Sequence, residues 1–96
     1  MNILLIDCDF GELPGHTVHT VYLDEGSVVS VQRLLDDPAS EGGRFQPDVV
    51  IQMEHIDRRV FLSGLAELHC PKVFWAVDSH LNLFWQRWYG RLFDVV

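Results

Sequence analysis

Residues 73–96, VFWAVDSHLNLFWQRWYGRLFDVV, begin apolar, stop on Asp78-Ser79-His80, continue as an aromatic-rich stretch and close on a second apolar run. With Pro71 and Lys72 in front, the first run has the length and composition of a buried strand. Beyond it Leu81, Phe84, Trp85, Trp88 and Leu92 fall on one side of a helix, and FDVV (93–96) reads as the entry to a further strand. Strand, helix, strand is the repeating unit of a parallel sheet.

The same unit recurs upstream. PDVVIQME (47–54) is the preceding strand, and Asp57 is placed to cap a helix over residues 58–69 whose inward stripe is Val60, Phe61, Leu65 and Leu68. Gly64 inside that helix is read as a close approach to the sheet. NILLID (2–7) is a continuous apolar run ended by acidic residues, as a strand buried on both faces would be. HTVHTVYLD (16–24) is a second strand, set between Gly15 and Gly26. The CDFGELPG link is short for a parallel crossover, so this pair is joined by a minimal helical connection or is antiparallel. Ser27 can cap a helix with Val28, Val31, Leu34 and Leu35 inward, stopped by Pro38. The whole predicts one α/β domain over residues 1–96 with right-handed crossovers.

Composition narrows the function. The chain has 96 residues, 48% of them hydrophobic, and a formal net charge of −7. Seven scattered Lys and Arg do not make a phosphate-backbone footprint, so nucleic acid is not an expected partner. No apolar run approaches bilayer length, so no transmembrane segment is expected, and the first residues lack a signal peptide's basic region. Cys8 and Cys70 have no metal-ligand spacing and are read as reduced thiols of a cytoplasmic protein.

Parallel α/β sheets bind ligands outside the carboxyl ends of their strands, where strand order reverses. The predicted strands deliver Asp7, Cys8 and Asp9, then Glu54 and His55, then Asp78, Ser79 and His80 to that edge. Carboxylates accept from hydroxyls and His titrates near neutrality, so the set suits a hydroxyl-rich ligand or proton transfer. Asp78 or Ser79 can equally cap the helix that follows. His16 and His19 lie on opposite faces of a strand and do not chelate together, and no metal site is expected. Acidic neighbours raise the Cys8 thiol and disfavour it as a nucleophile. Neither a dinucleotide fingerprint nor a P-loop is present, so no cofactor is expected. Arg58 and Arg59 could meet an anion at a helix start. Tyr89 lies off the aromatic stripe and is the expected exposed aromatic, with Arg87 and Arg91 paired on the outer face.

The run PDVVIQME, a helix, then FWAVDSH, an aromatic helix and YGRLFD, together with NILLIDCDF and GHTVHTVYL, resembles the N-terminal domain of the CgeB-like bacterial glycosyltransferases of the two-domain GT-B type. The resemblance implies a Rossmann-like three-layer sandwich with a mainly parallel sheet of four to five strands. It also implies the acceptor side of a transferase, whose donor, a nucleotide sugar, is held mainly by a second domain that this sequence does not include. The partners implied are that donor and a glycan or protein acceptor, without a required metal, and the domain alone is expected to be inactive. By position Asp78 and His80 are the catalytic candidates, and Asp9, Glu54, His55 and Ser79 the substrate-binding ones. An unpaired sheet edge at the end of the chain is a route to self-association. ILLIDCDF with PDVVIQME also resembles a response-regulator receiver, but the phosphoacceptor position falls on Met53, which leaves only a degenerate, protein-binding receiver on that reading.

Overall fold

The computed structural model describes residues 1–23, 28–36, 43–54, 60–77 and 85–96. Four strands, β1 (Asn2–Ile6), β2 (Thr17–Val21), β4 (Val49–Met53) and β6 (Lys72–Trp75), form one sheet in the order β2-β1-β4-β6. Every pairing in it is parallel. The β1–β2 pair is therefore parallel despite its short link, and residues 7–16 cross over without a helix. The expected fifth strand is present as a single parallel bridge, Val95 to Val73, with the Phe74 N–H donating to the Val95 carbonyl at 2.9 Å.

Two expected helices are not formed. Val28–Ser30 is a strand, β3, followed by one helical turn, α1 (Val31–Leu34). Phe61–Ser63 is a strand, β5, and Leu65–Glu67 is a 3-10 turn. β3 and β5 pair in parallel as a separate two-stranded sheet, Val28 opposite Phe61 and Ser30 opposite Ser63. The apolar residues read at helical spacing are β-branched or aromatic at Val28 and Phe61, as is Val29 beside them, and such side chains favour a pleated surface when another strand is at hand. Gly64 is explained by its backbone rather than by crowding: φ is 84°, and an added Cβ would meet Val31 Cγ1 at an ordinary 3.5 Å. It turns the chain out of β5.

Period-two alternation splits the large sheet into two faces. Leu4 and Ile6 of β1, Val50 of β4 and Phe74 of β6 pack with Val31, Leu35, Val60, Leu62, Leu65, Tyr89 and Phe93 into the main core. Ile3, Leu5 and Cys8 form a smaller cluster on the opposite face, with Leu13, Val18, Val49, Ile51 and Met53 partly buried against it. The C-terminal aromatic segment is helical over residues 85–89, but its inward face is not the expected stripe. Tyr89 is buried, whereas Trp88 and Leu92 are exposed. The guanidiniums of Arg87 and Arg91 lie over the Trp88 ring, 5.1 and 4.5 Å from its centroid. A phase error of one residue, about 100° around a helix, accounts for the exchange.

Candidate functional site

The strand order reverses between β1 and β4, so the edge to examine is where β1, β4 and β6 end. β1 ends on Asp7, a buried residue in the left-handed region at φ 59°. Asp tolerates that region better than most side chains, because its short carboxylate can bond locally. Here Oδ1 accepts from the Leu23 N–H at 2.8 Å, while the Asp7 N–H donates to the Val21 carbonyl at 2.9 Å. Oδ2 is buried without a hydrogen-bond partner. The left-handed step also breaks the alternation of β1, so that Cys8 joins the face that carries Ile3 and Leu5. Burial pushes the Cys8 thiol up, and the charges of Asp7 and Asp9 add to that. Its Sγ donates to the Ile51 carbonyl at 3.8 Å. A protonated, buried thiol is a packing group rather than a nucleophile.

Of the substrate-binding candidates, Asp9 is exposed, and its Oδ1 accepts from the Gly11 N–H at 2.8 Å. Glu54 is buried and turned inward. Its Oε2 accepts from the Val77 N–H at 2.7 Å and from Gln86 Nε2 at 2.8 Å, and the same Nε2 donates to the Val77 carbonyl at 2.8 Å. This ties the end of β4 to the residues that follow β6 and to the C-terminal helix. His55, Ser79, Asp78 and His80 lie outside the described residues, as do Arg58 and Arg59.

Two residues before Glu54 on the same face of β4, Gln52 starts a second buried network. The Tyr89 hydroxyl donates to Gln52 Oε1 at 2.6 Å and accepts from the Leu62 N–H at 2.8 Å, and Gln52 Nε2 donates to the Val60 carbonyl at 3.3 Å. Desolvation pushes the Tyr89 hydroxyl up to about 12. The expectation of an exposed Tyr89 is thereby corrected: its ring packs edge-on against Phe61 and Phe74, and its one polar atom is satisfied inside.

The aromatic residues that do reach the carboxyl edge are others. Phe10, just past β1, is 42% exposed and Trp75, the last residue of β6, is 49% exposed, with ring centroids 5.9 Å apart and planes tilted by 42°. Tyr22, just past β2, is exposed as well. Sequence reading did not single these out, although alternation carries the signal: Phe74 and Trp75 are adjacent in one strand, so only one of them can point into the main core. Among the described residues at this edge (7–13, 22–23, 53–54 and 75–77) there are four carboxylates and no Lys, Arg or His.

The opposite, amino edge holds an open groove of about 460 Å³ lined by residues that include Gln32, Arg44, Asp48, Glu67, His69 and Cys70. Several of its polar groups are occupied internally. Arg44 Nη2 donates to Gln32 Oε1 at 2.5 Å, and Asp48 Oδ2 accepts from the Asn2 N–H at 2.6 Å. Burial raises the Cys70 thiol. Among the described residues no group of three or more His, Cys, Asp or Glu is placed to hold a metal ion, and no helix is long and apolar enough to cross a membrane. Comparison with protein-family models, with curated proteins and with solved structures gave no match to this chain.

Proposed function

We propose that this chain is the acceptor-side domain of a glycosyltransferase that moves a sugar from a nucleotide-activated donor, with a second domain supplying the donor site. On this reading the parallel sheet is the centre of a Rossmann-like three-layer sandwich. The observation that carries the reading is the coincidence of the strand-order reversal at β1/β4 with an edge that is acidic and aromatic and, among its described residues, carries no Lys, Arg or His. Hydroxyls donate to carboxylates and sugar C–H faces pack on aromatic rings, whereas phosphate would be repelled there, which leaves the donor's diphosphate to the other domain. Asp78 and His80 follow β6 at the same edge in sequence and are the proposed acid–base groups. Asp9 and Ser79 are the proposed acceptor contacts beside them, and His55 a third at the end of β4. Glu54 serves as the brace behind them, its Oε2 being taken up by Val77 and Gln86.

The test uses the protein isolated from its natural source, assayed for intact mass and for transfer from nucleotide sugars. A mass well above that of the 96-residue chain, together with loss of transfer on Asp78→Asn at unchanged thermal stability, supports the reading. Unchanged turnover assigns Asp78 to helix capping. One observation favours a second reading: with Val95 beside Val73, the strands of the large sheet run in the doubly wound order 2-1-3-4-5, counted along the chain within that sheet, which is also that of receiver-type domains. Met53 ends the strand where a phosphoacceptor would stand, so such a module would act by protein binding alone. A specific protein partner, with no sugar binding, would decide for it.

A further inference from the structure

We infer that Trp75 and Phe10 form a stacking platform for a neutral pyranose ring at the carboxyl edge, with Asp9 as its hydroxyl acceptor; the placing of that ring as the acceptor of a transfer rests on the function proposed above. Two tryptophans of this chain are strongly exposed, and they differ in what lies over their rings. Trp88, 54% exposed, carries the guanidiniums of both Arg87 and Arg91 over its ring. Trp75 is 49% exposed with no cation over it among the described residues. Its ring neighbour there is Phe10, tilted rather than flat against it, so the pair leaves an open indole surface instead of closing on itself.

Burial alone does not explain this arrangement. Met53 and Ile51 on the same face of the sheet are half-buried, and Phe10 comes from a loop that could have turned its ring into the small cluster with Leu13. Instead an aromatic from the β1 loop meets an aromatic from the end of β6, bridging across the end of β4. The Phe10 loop is shaped by the Asp9 turn: Asp9 Oδ1 holds the Gly11 N–H, and Gly11 takes φ 76°. Asp9 is exposed, so its second oxygen stays open to a donor.

The chemistry selects the ligand class. A nucleotide base would stack as well, but its phosphates would face Asp7, Asp9 and Glu12 with no compensating cation among the described residues of this edge. A basic peptide would match the charge and would also prefer Trp75 to the arginine-covered Trp88, but a cation needs only one aromatic face, whereas here two tilted rings stand beside a carboxylate, and the titration below separates the two ligands. A neutral sugar ring satisfies both features, its axial C–H groups on the indole and its hydroxyls on the carboxylate.

The test labels the 96-residue chain with 5-fluorotryptophan, giving separate ¹⁹F resonances for Trp75, Trp85 and Trp88, and titrates it with methyl glucoside, cellobiose and N-acetylglucosamine. Trp75→Phe assigns the Trp75 line and, by keeping a ring against Phe10, preserves the fold; thermal melts check this. The inference expects a saturable shift of the Trp75 line with Trp88 unmoved, and binding weakened about tenfold in Phe10→Ala and less in Asp9→Asn. Equal movement of the Trp75 and Trp88 lines, no saturable shift with any of the three sugars, or tighter binding of uridine diphosphate or a basic peptide overturns it. The two readings fail separately. Sugar binding at Trp75 with normal transfer by a Trp75→Ala enzyme keeps the platform and removes its acceptor role. Transfer abolished by Asp78→Asn without any Trp75 shift keeps the transferase and removes the platform.

Discussion

The two faces of the large sheet come from the same four strands, yet they are finished differently. β4 shows the contrast most directly: Val50, Gln52 and Glu54 are buried on one face, while Val49, Ile51 and Met53 on the other are only half-buried. The first face is covered by β3, β5 and the C-terminal helical segment, and it is dense enough to enclose two polar networks, Gln52–Tyr89–Leu62 and Glu54–Gln86–Val77. Among the described residues of the second face only Ile3, Leu5 and Cys8 are buried, and Phe10 and Trp75 at its carboxyl edge are exposed. Buried polar groups demand complete partners, so the covered face is where stability is most sensitive to chemistry. An open face tolerates side-chain changes and is where a ligand can reach.

Removing the Tyr89 hydroxyl is the most damaging test of that contrast. Tyr89→Phe keeps the ring packing but strands the Leu62 N–H and Gln52 Oε1, and should cost about 2–4 kcal/mol by urea unfolding, the penalty expected for leaving two buried groups unpaired. The same hydroxyl makes stability pH-dependent. Its folded pKa, about 12, lies above the ordinary value near 10. The folded state therefore binds the proton more tightly, the stabilisation is whole below about pH 10, and it is lost as pH climbs through about 12. Alkaline unfolding followed by circular dichroism should show this loss, on the order of 2–3 kcal/mol, and Tyr89→Phe should remove that component.

Asp7 stands where β1 leaves the alternation that defines the faces, and its effect should be intermediate. Asp7→Ala removes the acceptor of the Leu23 N–H and places Ala in the left-handed region, for a loss of about 1–2 kcal/mol, moderated by removal of the unpartnered Oδ2. Asp7→Asn keeps an oxygen for Leu23 and tolerates the same φ, so its melting temperature should stay close to that of the parent. Equal losses for Ala and Asn would show that the charge, not the turn, matters.

Trp75→Ala should have the smallest effect on stability, about 1 kcal/mol or less, because half of the side chain is already in water. A loss comparable to that of Tyr89→Phe would show that the second face is as closed as the first, and the sugar platform would lose its basis.

Much of the large sheet could be read from the chain. Continuous aliphatic runs such as Ile3–Ile6 and Val49–Ile51 have few alternatives to a doubly flanked parallel strand, and the reading of FDVV as a strand entry matches the Val73–Val95 bridge. The crossovers were misread because Val28–Leu35 and Val60–Leu68 satisfy a helical stripe and a strand equally well over a few residues, and β3 and β5 form only because each supplies the other's hydrogen-bonding partner. The phase of the 85–89 helix failed for a related reason: aromatic residues occur on every side of it, so hydrophobicity could not say which were inward. Of the site residues, Asp9 was legible as an exposed carboxylate after β1, whereas the inward turn of Glu54 depends on Val77 and Gln86, which are far from it in sequence.

Local chain chemistry thus settles the acidic character of this protein, the aliphatic runs that become β1 and β4 and the carboxylates that follow them, since each depends on residues adjacent in sequence. Which face of the sheet is closed, that Tyr89 is buried while Trp75 and Trp88 are not, and that Phe10 meets Trp75 across the end of β4 are decided by packing between distant segments. The physical reason is that burial is competitive: the space over the sheet is limited, and which of several apolar side chains fills it depends on the shape and hydrogen-bonding needs of them all.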